Sequence, residues 1–156
     1  MDRITAIKTI IPGCSVSTDI IAGFCNETEE DHQDTLSLIE FAQFDFAFMY
    51  KYSVREGTDA AKTLPDNVPE ETKLRRLNEI IHHQRKIGFE RNKADVGKEF
   101  EILIEGTSKR SADQLSGRTS QNKVAVIPKK DYKPGMYVKI KITNCTAGTL
   151  FGEPID

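Results

Sequence analysis

The apolar positions change period twice along this chain. Residues 16–24 (Val16-Ser17-Thr18-Asp19-Ile20-Ile21-Ala22-Gly23-Phe24) are mostly apolar and stop at a turn-like Cys25-Asn26, as a strand buried in a parallel sheet would. A helix is predicted next. Thr28 suits its N-cap, Glu29, Glu30 and Asp31 fill a first turn that favours carboxylates, and Thr35, Leu36, Ile39 and Ala42 form an apolar stripe. Phe46-Ala47-Phe48-Met49-Tyr50-Lys51-Tyr52 then reads as an aromatic-rich strand, and residues 53–67, with Gly57 and Pro65, as a long loop. Helical spacing returns over 68–87. Pro69 stands in the first turn, Leu74, Leu77, Ile80, Ile81 and Ile87 make the stripe, and Gly88 is the expected stop.

Beyond that point the period falls to two. Phe100, Ile102 and Ile104 alternate, as do Val124 with Val126 and Val138 with Ile140 and Ile142; Gly106, Gly117, Pro134-Gly135 and Gly148 read as the turns between runs. About five short strands in some sixty residues are expected to close into a small barrel, because closure removes exposed edges. The fold class expected is therefore α/β followed by all-β. The boundary lies between Ile87 and Asp95, dividing the chain into residues 1–90 and 91–156.

Composition narrows the class. With 156 residues, 38% hydrophobic and 29% charged, the chain fits a globular protein rather than a disordered or collagen-like one. No apolar run approaches the roughly eighteen residues of a bilayer span, and the opening MDRITAIKTIIPG lacks the features of a signal peptide, so no membrane partner and a cytoplasmic location are expected. Cys14, Cys25 and Cys145 are odd in number and irregularly spaced, which points to buried thiols rather than disulfides or metal ligands. The net charge of -2 hides an asymmetry: residues 1–92 carry 11 Lys+Arg and 16 Asp+Glu, whereas 93–156 carry 11 and 8. The second part, at +3 against -5, is the candidate for meeting a polyanion.

Four groups of residues carry candidate chemistry. Asp19, Gly23 and Glu27 lie around the C-terminal end of the first strand, where ligands sit in α/β sheets; the plainer reading is a glycine required by the turn and local hydrogen-bond acceptors. Ser53 and Arg55 leave the second strand with hydroxyl and cationic groups able to hold a carboxylate or phosphate, or simply to be solvated. His82-His83 lies mid-helix with no neighbouring Cys and reads as surface or packing. Lys109-Arg110, Arg118, Asn122-Lys123, Lys129-Lys130 and Lys139 with Lys141 place cations on loops and on the outward side of strands, as either a nucleic-acid face or a solubilising one, with Glu99, Glu101, Glu105 and Asp113 interspersed.

Two stretches resemble a known family. Ser17-Thr18-Asp19-Ile20-Ile21-Ala22-Gly23-Phe24 with Glu27-Thr28-Glu29-Glu30-Asp31, followed by Tyr52-Ser53-Val54-Arg55-Glu56-Gly57-Thr58-Asp59-Ala60-Ala61, resembles the last part of the catalytic domain of radical-SAM methylthiotransferases. Leu103-Ile104-Glu105-Gly106-Thr107-Ser108-Lys109-Arg110 and Gly117-Arg118-Thr119-Ser120-Gln121-Asn122-Lys123-Val124 are similar to the TRAM domain of that family, an RNA-binding barrel. The paired SKRS, GRT and NK motifs resemble the branch acting on dimethylallyl-adenosine, with the branches acting on threonylcarbamoyl-adenosine or a ribosomal protein as alternatives.

The resemblance implies the last β/α units of a partial TIM-type barrel followed by a five-stranded β-barrel. It implies transfer of a methylthio group to carbon 2 of the adenosine next to a tRNA anticodon, using S-adenosylmethionine and two 4Fe–4S clusters. The CxxxCxxC ligands of such a cluster are missing, so the chain resembles a C-terminal fragment, inactive alone and with no cofactor expected on it. Where the family often has Pro-Gly after Gly-Phe, Cys25-Asn26 stands here. By position, Asp19, Gly23, Glu27, Ser53 and Arg55 would lie near the cofactor or substrate, and Lys109, Arg110, Arg118 and Lys123 would contact RNA. Strand edges left open by the missing sheet would favour self-association. A stand-alone RNA-binding module and a phosphate-binding α/β enzyme are the competing classes; the latter lacks a Gly-rich phosphate loop.

Overall fold

The computed structural model describes residues 1–155. They fall into two units, Met1–Ile87 and Gly88–Asp156.

In the first unit, helix α1 (Asp2–Ile10) leads into strand β1 (Ser17–Ala22), helix α2 (Glu29–Ala42), strand β2 (Phe46–Lys51), the short helix α3 (Asp59–Thr63) and helix α4 (Glu70–Lys93), whose residues from Gly88 on belong to the second unit. β1 and β2 pair in parallel, with Ser17 opposite Phe46 and Ala22 opposite Lys51. The pleat sends alternate side chains to opposite faces. Ala22, Ile39, Ala42, Phe44, Ile80 and Ile87 form the buried core, on the face that carries Ile20 and Met49. The other face of the strand pair is uncovered, with Ile21, Phe46, Phe48 and Tyr50 each more than half exposed. α2 starts as its sequence predicts: the Thr28 hydroxyl accepts from the Asp31 amide at 3.1 Å and the Asp31 carboxylate accepts from the Thr28 amide at 2.8 Å, a capping box.

Two features of the helices depart from the pattern. Within the stretch expected to be one long loop, Thr58 caps α3 by accepting from the Ala61 amide, a local signal that outweighs the shortness of the helix. In α4 the buried positions are Lys73, Arg76, Ile80, Gln84, Ile87, Gly88 and Asn92, while Leu74 is 53% exposed. The apolar stripe is thus displaced at its N-terminal half, because carboxylates wait there for the two cations. Nor does Gly88 end the helix, which continues to Lys93. A Cβ at Gly88 would stand 2.9 Å from the Ala147 carbonyl oxygen, so this glycine permits a close backbone approach inside the second unit rather than a stop.

The second unit is a closed barrel of β3 (Glu99–Thr107), β4 (Gln114–Thr119), β5 (Val124–Pro128), β6 (Tyr137–Cys145) and β7 (Leu150–Pro154), in the order β3-β4-β5-β7-β6. Only the β5–β7 pair is parallel. Ile102, Ile104, Leu115, Ala125, Ile127, Val138, Ile140, Ile142 and Leu150 fill its interior. The small barrel expected after an α/β segment is present. Two glycines read as turns lie inside strands: Gly106 at a register shift in β3 and Gly117 within β4. β4 escapes an apolar pattern because only Leu115, Gly117 and Thr119 face inward, and β7 because Leu150 is its sole large inward residue.

Candidate functional site

The C-terminal end of β1 is held by a continuous ionic cluster. Gly23 has φ +74°, a left-handed conformation that glycine adopts at little cost, and its amide donates to Glu27 Oε2 at 2.5 Å. Arg76 Nη1 donates to the same oxygen at 2.9 Å and to the Glu27 carbonyl at 3.0 Å, while its Nη2 reaches Glu29 at 3.2 Å. Arg75 then bridges Glu29 (2.6 Å) and Glu79 (2.8 Å), and Glu79 meets the fully buried His32 at 2.6 Å. The hydrogen bond from Arg75, helped by Arg76, draws the Glu29 carboxyl down to about 2.

Lys73, only 1% exposed, anchors the neighbouring loop. Its Nζ donates to Asp66 at 2.6 Å and Glu70 at 3.2 Å and stands 5.4 Å from the centre of the Tyr52 ring. Burial acts to lower its pKa, but the bonds to Asp66 and Glu70 outweigh it and leave the ammonium more firmly protonated than usual. The expected pair Gly23 and Glu27 is therefore brought together, in a structural role. Glu27 is committed to an amide and a guanidinium, and the space a Gly23 side chain would take is filled by Lys73.

Asp19, Ser53 and Arg55 are exposed and make no side-chain hydrogen bond or ion pair among the described residues. Asp19 lies on the uncovered face of β1, opposite Phe48 in register, while Ser53 and Arg55 follow β2 in the segment before α3. The three cysteines are free thiols. Cys25 is buried, Cys14 and Cys145 are partly buried, and burial raises the Cys145 thiol. Among the described residues no group of three His, Cys, Asp or Glu side chains could hold a metal ion. The donor set present therefore does not fit an iron–sulfur cluster, which needs several thiolates around it. A shallow groove between α2 and α4 is lined by Leu36, Arg75, Asn78, Glu79, His82 and His83. None of the residues expected to contact cofactor or RNA lines it.

In the barrel the expected cations are separated. Lys109 and Arg110 are exposed in the loop between β3 and β4. Arg118 lies toward the other end of β4, where its Nε donates to Glu105 at 3.1 Å and its Nη1 to the Asn122 carbonyl (3.1 Å) and side chain (2.9 Å). Three of its five N–H groups are thus used, and both edges suited to a two-pronged phosphate grip are half occupied. Lys123 is 13% exposed in its side chain and pairs with Asp95 at 2.6 Å. Burial raises the Asp95 carboxyl, but the bonds from Lys123 and Lys98 prevail and leave it below its ordinary range. Lys123, expected to contact RNA, is thus paired with an acid of its own unit. Lys139 and Lys141 stand opposite Glu101 and Glu99 in the β3–β6 register, so that wall is charge-balanced rather than basic.

Sequence reasoning missed the cluster of Lys73, Arg75, Arg76 and His32. A signal existed in the Lys73…Arg75-Arg76 run on a helix that follows the acidic Glu27 and Glu29. Periodicity counts apolar residues only, so it passes over a buried stripe made of paired charges.

Residues 93–155 match the TRAM domain family. Over its whole length the chain is 55% identical to the tRNA-2-methylthio-N(6)-dimethylallyladenosine synthase of Parabacteroides distasonis. Proteins of the same name from Azobacteroides pseudotrichonymphae (55% identity, 99% of this chain) and Chlorobium phaeobacteroides (54%, 98%) are similar to the same extent. The chain spans about a third of the length of these relatives, 34% in each case. A solution structure of a conserved protein from Methanococcus maripaludis is similar over 39% of this chain and 80% of its own, with 24% identity and a TM-score of 0.33.

Proposed function

From a chain that carries a TRAM domain and is, from end to end, a relative of one third of these synthases, we propose that it is the C-terminal part of a tRNA methylthiotransferase. Its activity would add a methylthio group to carbon 2 of dimethylallyl-adenosine beside the anticodon. The observation that carries this reading is the identity of about 55% over all 156 residues to proteins so named, together with the TRAM match on the barrel.

The two units would divide the work. The barrel would hold tRNA, since TRAM is an RNA-binding domain. The first unit would be the last β/α repeats of a partial TIM-type catalytic barrel, an assignment supported by the parallel β1–β2 pair and by its uncovered apolar face, which further strands would bury. Within it, Asp19, Ser53 and Arg55 remain candidates for contact with S-adenosylmethionine or the substrate adenosine. Gly23 and Glu27 would shape the turn that carries them. When bound, S-adenosylmethionine would supply the radical and the methyl group. The clusters would be held by residues outside this chain.

The test is direct binding. The 156-residue chain, titrated into a fluorescein-labelled anticodon stem-loop of a tRNA with an adenosine beside its anticodon, should raise its anisotropy at low salt and lose affinity steadily as KCl increases. No binding at 25 mM KCl by a folded chain would refute the RNA-holding role.

A further inference from the structure

The cations of the barrel differ in how they are used. Arg118 is tied to Glu105 of β3 and to Asn122 of the β4–β5 turn, and Lys123 to Asp95 in the segment before β3. Elsewhere, residues 108–113 and 129–136 are joined by a backbone hydrogen bond from the Lys129 amide to the Asp113 carbonyl (2.9 Å), and the Ser108 amide closes the first loop on the Gln114 carbonyl (2.9 Å). Lys109, Arg110, Lys129, Lys130 and Lys133 all belong to these two loops. Their side chains are exposed and make no hydrogen bond or ion pair among the described residues. Only Asp113 and Asp131 offset them within the loops. Tyr137 follows the 129–136 loop as the first residue of β6 and is 67% exposed; in register it pairs with Leu103, whose other neighbour is the ion-paired Arg118.

We propose that this pair of loops, and not the Arg118–Lys123 side, is the surface on which the barrel grips RNA. The five cations would sit on phosphates, and the Tyr137 ring would lie under an unpaired base. The inference rests on the RNA-holding role proposed above and deepens it. Five unpaired cations against two acids give a locally positive patch in a unit whose other walls are balanced, and desolvating a free cation against phosphate does not first require breaking an ion pair. An exposed aromatic beside a basic groove is the usual platform for single-stranded nucleic acid. RNA is thus favoured over an acidic protein, which has no base to stack.

The experiment compares salt dependence among variants of the full chain, with the labelled anticodon stem-loop as probe. The quadruple variant K109A/R110A/K129A/K130A should bind at least about tenfold more weakly at 0.1 M KCl, with the log–log salt slope flattened by about 3, at roughly 0.7 for each cation removed from a phosphate. Y137A should weaken binding by roughly tenfold with the slope unchanged, because stacking releases no counterion. R118A should alter the slope by less than about 0.4, half the value for one phosphate. All the changed side chains of the quadruple variant are exposed, so its melting temperature should match that of the wild type and separates a binding loss from unfolding. If the wild type binds but the quadruple variant keeps its slope, or if R118A flattens the slope as much, the assignment to these loops is wrong. Absence of wild-type binding would instead overturn the RNA-holding role itself, and with it this surface.

Discussion

Gly23→Ala tests the packing at the end of β1. Gly23 has φ +74°, and a Cβ there would lie 2.2 Å from Lys73 Cγ, 2.9 Å from Lys73 Cβ and 3.2 Å from Lys73 Cα. The positive φ alone costs an L-residue roughly 1–2 kcal/mol. The clash adds roughly 1–3 kcal/mol, the usual cost of overpacking, since the atoms met are the root of the Lys73 side chain and not its flexible tip. Lys73 cannot swing aside without giving up Asp66 and Glu70. A loss of about 2–5 kcal/mol is therefore expected in the first unit, out of the roughly 5–15 kcal/mol typical of a domain. Urea unfolding followed by circular dichroism at 222 nm reads it out, and the midpoint of the helical unit should fall by about 1 M or more. Lys73→Ala removes the Cγ that makes the closest clash, so in that background the cost of Gly23→Ala should shrink by at least about 1 kcal/mol. RNA affinity per folded molecule should not change, because the proposed RNA surface lies on the barrel. A Gly23→Ala protein within about 0.5 kcal/mol of the wild type, or a cycle without coupling, would refute this account of the turn.

Acid should loosen the first unit through Glu29. Its folded pKa of about 2 lies below the ordinary value of 4.5, chiefly through Arg75, so the stabilisation is present above pH 4.5 and is lost as pH falls toward 2; Glu29→Gln should melt with a shallower pH dependence between those limits, and an unchanged slope would contradict the assignment. The uncovered face of β1 and β2, with Phe46 and Phe48 half exposed and in edge contact at 4.7 Å, should drive self-association. Sedimentation velocity over a concentration series should show dimers or larger species that Phe46→Ser/Phe48→Ser disperses, whereas a wild type that stays monomeric would count against it.

How much the sequence revealed follows from what each signal measures. β1, β2, α2 and the strands β3 and β6 announce themselves because their inward positions are apolar at the right period. β5 is apolar throughout, so the alternation of Val124 with Val126 picks the face opposite Ala125 and Ile127, which fill the barrel. β4 and β7 give no such signal, since a glycine and a threonine or a single leucine can line a small barrel without making a pattern. The stripe of α4 is misread at Leu74 because Lys73 and Arg76 take the buried positions, neutralised by Asp66, Glu70, Glu27 and Glu29 that lie three to about fifty residues away in sequence. The candidate sites suffer from the same long-range pairing. Motif matching places Lys109, Arg110, Arg118 and Lys123 together, yet only the fold shows that the first two are free while Arg118 is engaged by Glu105 and Asn122 and Lys123 by Asp95. The sequence reading of Lys139 and Lys141 as a basic face fails for a related reason, as their cross-strand partners are glutamates.

If this chain is the C-terminal part of a tRNA methylthiotransferase, it should work in place of the matching part of a relative. The most direct test replaces the matched third of the Parabacteroides distasonis synthase with this chain and expresses the chimera in a bacterium that makes dimethylallyl-adenosine but lacks its methylthio modification. Mass spectrometry of nucleosides from bulk tRNA should then show 2-methylthio-dimethylallyl-adenosine at a level comparable to that given by the intact synthase. A chimera that accumulates, folds and carries its iron, yet leaves the dimethylallyl-adenosine unmodified, would contradict the claim.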